Sequence, residues 1–376
     1  MKILFVCENY LPHYGGAEVV FKNLAEGYAR KGHQVTLLTH RLPGTAKEEV
    51  INGVRVLRVS SLSSRYVFSF SSIPKAIQLA TKNDTIQTTT FNAAFPAWIA
   101  AKIARKKVIL TVHEVWIGKW KEITNFSWLK STIHELLEKM IYALPFDKYI
   151  CVSDATKKDL LKAGILKSRI ERIYNGMDYD FWNPSRFKDE EVHKIKEELK
   201  LQDKFVYFSW GRSGTSKGFE HVIKAVPLIT EKIPNSLFLL MLGEPQKYKK
   251  KHQELLSLVS ASPAKEQIKI IDSQPHAKLG CFLKAVDCVV VPSTSEGFGY
   301  TAIEAVAMDK PVVVSDAGSL PEIVSGKYQI FKSKNVWDLA EKVVKVAQRS
   351  YRQKKLKRFE WADSVEKYLE VYQSLT

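Results

Sequence analysis

The sequence predicts an α/β protein built as two parallel-sheet halves, and three observations carry that prediction. Short β-branched runs alternate with amphipathic helical segments along the chain, the pattern of a parallel sheet covered on both faces. The alternation restarts after a charged stretch near the middle, and each series opens with a strand and a glycine-bearing loop. At 376 residues the chain exceeds the size at which one core usually stops growing, so two domains are expected.

The elements follow in order. Residues 1–6 read as a strand that leads through Gly15-Gly16 into a helix over 17–31, ended by Gly32. Further strands are expected at 34–38, 55–59, 85–89, 107–112 and 149–152. Ser153 is placed to cap a helix beginning at Asp154. Asn175-Gly-Met-Asp178 turns the chain toward Trp182-Asn-Pro184, and a charged helix over 188–200 precedes the second series. Its strands fall at 205–210, 237–242, 268–271, 288–291 and 311–314, before a basic segment, 349–358, and a closing helix, 361–375. In open α/β sheets ligands bind beyond the carboxyl ends of the strands, so the loops there are where chemistry should collect.

Composition narrows the function classes. With 45% hydrophobic and 26% charged residues the chain reads as globular. Four cysteines, Cys7, Cys151, Cys281 and Cys288, are scattered without metal-ligand spacing, which fits a reducing cytosol. The N-terminal apolar run is too short for a signal peptide, and no run approaches bilayer-spanning length. The expectation is a cytoplasmic protein, peripheral on the inner face of a membrane if it meets one at all. The formal net charge of +17 is unevenly spread. Residues 51–130 hold twelve Lys/Arg against three Asp/Glu, interleaved with Trp98, Trp116, Trp120, Trp128, Tyr66, Phe68 and Phe70. Such segments suit an anionic membrane surface, although a solvated basic face over ordinary core aromatics has the same composition. No nucleic-acid-binding module accompanies the charge, so no nucleic-acid partner is expected.

Three strand-end loops carry candidate chemistry. Gly15-Gly16 is not the G-x-G-x-x-G of a nicotinamide enzyme. Trp210-Gly211-Arg212-Ser-Gly-Thr-Ser-Lys217-Gly puts two cations in one loop, suited to a diphosphate, without the spacing of an ATP-hydrolysing P-loop. The most informative stretch is Glu296-Gly297-Phe298-Gly299-Tyr300-Thr301-Ala-Ile-Glu304. Its glycines let the backbone approach a ligand, its helix start offers N–H groups to an anion, and its carboxylates suit paired sugar hydroxyls. Thr301-x-x-Glu304 also has the pattern of a capping box, as does Ser319-x-x-Glu322 beyond Gly318. Upstream, His113-Glu114 ends an apolar strand, the right place for a side chain that reaches a ligand.

In this order and spacing, Gly15-Gly16, His113-Glu114, Asn175-Gly-Met-Asp178, Gly211-Arg212-x4-Lys217-Gly218, Glu296-x7-Glu304 and Gly318-x-x-Pro-Glu322 resemble the family 4 retaining glycosyltransferases (glycosyl transferases group 1). The resemblance covers nearly the whole chain. It implies the GT-B fold, two Rossmann-like α/β domains facing each other across a deep cleft. An acceptor-binding domain is expected over 1–184 and a nucleotide-sugar-binding domain over 185–358, with 359–376 crossing back to the first. By resemblance Arg212 and Lys217 hold the donor diphosphate, Glu296 contacts the donor sugar and Glu304 binds the ribose hydroxyls. Gly211 and the backbone from Gly297 through Phe298, Gly299 and Tyr300 to Thr301 line the donor pocket. Gly16 meets the phosphates and acceptor, and His113 lies near the transferred sugar. Gly243-Glu-Pro and Gly318-Ser depart from the paired glycines frequent at those places. The co-substrate implied is a UDP- or GDP-sugar, with no obligatory metal. The acceptor expected is a lipid-linked or cell-surface glycan, with a soluble sugar phosphate or glucan, or a non-catalytic nucleotide-sugar binder, as the alternatives.

Overall fold

The computed structural model describes every residue except Tyr14, Ser63, Glu244 and Thr376. Packing divides the chain into two compact units. The first comprises Met1–Gly118, Leu129–Met177 and Phe359–Thr376, and the second Lys119–Trp128 and Asp178–Arg358.

In the first unit the described strands are β1 Lys2–Val6, β2 Gln34–His40, β3 Glu48–Ile51, β4 Val54–Val59, β5 Thr85–Thr89, β6 Lys107–Val112, β7 Lys148–Cys151 and β8 Ile170–Arg172. They form one sheet in the order β3-β4-β2-β1-β5-β6-β7-β8. Every pairing is parallel except β3 with β4. β1 is buried from Ile3 to Val6, so its apolar residues face helices on both sides. Strand order reverses between β1 and β5, the topology that opens a ligand crevice at the strands' carboxyl ends.

The helix Trp361–Leu375 joins this unit. Val365, Tyr368, Leu369 and Tyr372 are buried along it, a 3–4 spacing that makes one apolar face. That face meets the helix Gly16–Arg30 closely because Gly27 lacks a side chain: a Cβ there would sit 2.5 Å from Val365 Cγ2. Two turns further along the C-terminal helix, Tyr372 meets Tyr28 edge to face at 5.6 Å. Ser153 caps as its sequence position predicts, its Oγ accepting from Thr156 N at 3.1 Å at the start of the helix Asp154–Lys162.

The second unit has β9 Phe205–Arg212, β10 Ser236–Gly243, β11 Ile268–Asp272, β12 Cys288–Val291, β13 Val312–Ser315, β14 Gly326–Phe331 and β15 Arg352–Lys354. Their order is β11-β10-β9-β12-β13-β14-β15, parallel throughout except for β15. Its core is aliphatic and aromatic, with Tyr207, Phe238, Leu240, Val290 and Val313 from the sheet against Val222, Val226 and Ile229 of the helix Phe219–Lys232. Here the order reverses between β9 and β12. The loops after β9, β12 and β13 are therefore neighbours, and they are the loops that carry Arg212, Glu296 and Gly318.

Candidate functional site

The loop after β9 is shaped by two glycines. Gly211 has φ +148° and Gly218 φ +66°, conformations a side chain resists. Between them Thr215–Lys217 form one 3-10 turn, and Gly218 begins the helix Phe219–Lys232. A Cβ on Gly218 would lie 2.2 Å from the Pro292 carbonyl oxygen, so this loop seats directly on the loop after β12. Thr294 N donates to Ser216 O at 2.8 Å across the same seam. The contact delivers Lys217, whose Nζ donates to Glu296 Oε2 at 2.9 Å. Ser293 Oγ donates to that same oxygen at 3.1 Å. Both partners of the ion pair are mostly buried, so solvent screens it less than a surface pair.

Glu296 is held from its backbone as well. Gly318, at φ +55°, packs so closely that a Cβ would meet Glu296 O at 2.1 Å. Ser319 N donates to that carbonyl at 3.1 Å and Ser319 Oγ at 3.3 Å. Then Gly297, Phe298 and Gly299 run buried into the helix Tyr300–Ala307, with Gly299 as its N-cap at φ +93°. Neither glutamate pattern forms a capping box. Gly299, not Thr301, stands at the cap, so Glu304 lies a full turn into the helix. Ser319 spends its hydroxyl on Glu296 O and makes no side-chain cap. The glutamates therefore need another account than helix capping.

Glu304 is partly covered, and desolvation at its position pushes its pKa up to about 8. Lys217 pulls it down and Glu296 raises it, which places all three charges within reach of one another. Arg212 is exposed at the end of β9, and among the described residues its guanidinium has no ion pair. The second unit thus brings together Lys217, Glu296, Glu304 and the backbone from Gly297 to Thr301, with Arg212 at the end of the strand whose following loop carries Lys217. Ser293 and Ser319 belong to this cluster; the sequence reading misses Ser293 and takes Ser319 only as a candidate helix cap. Their signal, hydroxyls beside Glu296 in the Pro-Ser-Thr-Ser run and after Gly318, is too common in loops to stand out.

The remaining two candidates lie in the first unit. Gly16 is the first residue of the helix Gly16–Arg30. A Cβ there would meet nothing within 4 Å among the described residues, and its φ is not positive. His113 follows β6, its ring edge-on to Phe21 at 6.0 Å. Its Nε2 is buried without a hydrogen-bond partner, and burial drives its pKa down to about 4. A groove of about 330 Å³ also lies on this unit, lined by Lys148, Glu171, Ile173, Lys367, Glu370, Val371 and Ser374. None of the candidate residues borders it.

The departure at Gly243-Glu-Pro falls partly on Glu244, outside the described residues. Asp178-Tyr179-Asp180 does form an Asp-x-Asp triplet, but Asp178 Oδ1 accepts from Phe181 N at 2.9 Å as a turn acceptor. Among the described residues no group of three or more His, Cys, Asp and Glu is placed to hold a metal.

Residues 14–181 match Glycosyltransferase Family 4, and residues 191–360 match Glycosyl transferases group 1. The chain belongs to the family 4 glycosyltransferases. An uncharacterised glycosyltransferase of Methanocaldococcus jannaschii is 29% identical over 86% of this chain and 83% of its own length. The GPI3 subunit of phosphatidylinositol N-acetylglucosaminyltransferase from Saccharomyces cerevisiae is 20% identical over all of this chain and 83% of its own. A D-inositol 3-phosphate glycosyltransferase of Corynebacterium urealyticum is 24% identical over 96% and 91%. Among solved structures, Anabaena HepE in complex with UDP and glucose superposes with a TM-score of 0.75 at 20% identity over the whole of both chains. This family 4 chain has the GT-B fold, two α/β domains with mainly parallel sheets.

Proposed function

We propose that this family 4 glycosyltransferase moves a hexose, with retention, from a nucleotide-diphosphate-sugar to a lipid-linked or cell-surface glycan at the cytosolic face of a membrane. The observation that carries the donor half is the enclosed Lys217–Glu296 pair, with Glu304 beside it and unpaired Arg212 at the same strand ends. A diphosphate supplies the anion this group lacks. Arg212 grips two oxygens at once, and Lys217 turns from Glu296 toward the phosphate. Glu296 is then free for the sugar hydroxyls, and Glu304 takes the ribose hydroxyls. The backbone of Gly297–Thr301 closes around the phosphate and sugar. UDP is the first choice of nucleotide, supported by the HepE complex, with GDP second.

In the reaction the acceptor hydroxyl oxygen bonds the anomeric carbon while the bond from that carbon to the phosphate oxygen breaks. The electron pair leaves on the diphosphate, and the hydroxyl proton passes to the departing phosphate oxygen. Attack comes from the face the leaving group vacates, so configuration is retained without a side-chain nucleophile. Arg212, Lys217 and the start of the helix Tyr300–Ala307 stabilise the growing negative charge, which is where preorganised positive groups act most strongly. Gly16 leaves room for acceptor and phosphate, a role suggested by a glycine that neither φ nor crowding requires. His113, neutral with an unpartnered Nε2, supplies a hydrogen bond to the transferred sugar.

A second reading, a soluble acceptor such as a sugar phosphate, is kept because the yeast and corynebacterial relatives are named for different acceptors at similar identity. Incubation with radiolabelled UDP- or GDP-sugar and membrane lipid tests both. Label extracted into organic solvent, reduced roughly a hundredfold in Lys217→Ala, is the expected result. Label left wholly on water-soluble product favours the second reading. Donor binding without any transfer makes the chain a non-catalytic binder.

A further inference from the structure

The helix Trp128–Ala143 packs with its apolar side facing out. Leu129, Ile133, Leu136, Leu137 and Met140 fall at i, i+4, i+7, i+8 and i+11, one stripe of a helix. All five are exposed, Leu136 at 60% and Met140 at 58%. The opposite side, turned inward, carries Ser131, Glu138 and Tyr142. Glu138 accepts from Trp116 N at 2.8 Å, so the polar side is anchored to the protein by design of its hydrogen bonding. A surface helix ordinarily shows the reverse arrangement.

The stripe does not stand alone. The helix Arg65–Ser71 exposes Tyr66, Val67 and Phe70, the last at 66%. Tyr66 OH and His134 Nε2 are hydrogen-bonded at 3.0 Å, which makes the two helices neighbours. Phe70 meets Phe95 at 6.1 Å, continuing toward the helix Ala94–Ala104 and its exposed Ile103. A contiguous apolar surface of this extent marks an interaction site.

We propose that this face of the first unit docks on an anionic lipid surface. The inference rests on the membrane-face reading above and names the surface that makes it. Charge selects the occupant. The helices Arg65–Ser71 and Ala94–Ala104 carry no acidic residue, and Lys102, Arg105 and Lys106 close the second beside Ile103. A second copy docked isologously would set this basic surface against itself, whereas anionic headgroups neutralise it. The apolar stripe enters the acyl boundary, Tyr66 sits at headgroup depth and Lys130 and Lys139 flank the stripe. Of the aromatics in 51–130, Phe68 and Trp120 are buried in the core and take no part.

The test is co-sedimentation of the full chain with vesicles of phosphatidylcholine, with and without phosphatidylglycerol. The wild type is expected to bind the anionic vesicles, less as salt rises, and Ile133→Gln/Leu137→Gln/Met140→Gln to bind at least tenfold more weakly. The exposed positions should leave the melting temperature and UDP binding unchanged, which separates lost docking from lost folding. Equal vesicle binding by the triple variant, or none by the wild type, overturns the inference. So does a wild-type dimer in light scattering that the triple variant converts to monomer, since the face then joins two copies. Vesicle binding is read without donor, so the inference stands if transfer fails, and it falls alone if transfer to a soluble acceptor proceeds without vesicle binding.

Discussion

Glu304 concentrates the chemistry of the site in one titratable group. Its carboxyl titrates near 8 in the folded protein, against an ordinary 4.5, chiefly because it is buried. Between those values the native state keeps a proton that the unfolded chain has released, so this group lowers stability as pH rises from about 4.5 to about 8. His113 acts in the opposite sense over a lower window. Its pKa near 4 against 6.5 means the unfolded chain holds the extra proton, and stability rises with pH between those values. Glu304→Gln should therefore match the wild type near pH 4.5 and melt roughly 5 °C higher at about pH 8.5 in the absence of donor. Melting curves across that range check it, and equal pH slopes for the two proteins would show that Glu304 ionises normally. That Glu296 and Glu304 stand close together in one glycine-led segment was legible from Glu296-x7-Glu304. The ion pair with Lys217 was not, because it joins residues 79 apart in sequence through the seating of one loop on another.

At the scale of elements, the glycine-led loops fix where the charges stand. Gly318→Ala would drive a Cβ into the Glu296 backbone, where nothing flexible can yield, at a φ that already disfavours it. The expected cost is about 2 kcal/mol or more of stability, together with at least a tenfold loss of UDP-sugar affinity. Gly44→Ala is the control, with φ +76° and no atom within 4 Å of the added Cβ, and should cost about 1 kcal/mol with donor binding intact. Chemical denaturation and donor titration on the two variants measure both. Strands were legible where β-branched residues run together: 85–89, 107–112 and 288–291 fall where β5, β6 and β12 lie. β3, with Glu48 and Glu49, and β15, Arg352–Lys354, escaped because polar edge strands form only when a neighbour supplies the pairing. The helix Trp128–Ala143 also went unnamed in the sequence, and its outward apolar stripe is a property of packing that periodicity cannot assign to a side.

For the whole molecule, the net charge of +17 and the two reversals of strand order belong together. Strand order puts the glycine-led loops of the second unit at one set of strand ends, and excess positive charge favours encounter with anionic partners in general. Among the described residues no helix is long and apolar enough to cross a membrane. The two-unit α/β architecture was legible from length and alternation alone, whereas nucleotide, sugar and acceptor depend on pocket shape that sequence spacing does not encode. The central claim is that Arg212, Lys217, Glu296 and Glu304 form a nucleotide-sugar donor site. Calorimetric titration with UDP- and GDP-sugars, wild type against Arg212→Ala, tests it most directly. One nucleotide class should bind the wild type, and Arg212→Ala should bind it at least tenfold more weakly with folding unchanged. Binding that Arg212→Ala leaves intact, or no binding of either class, would contradict the account.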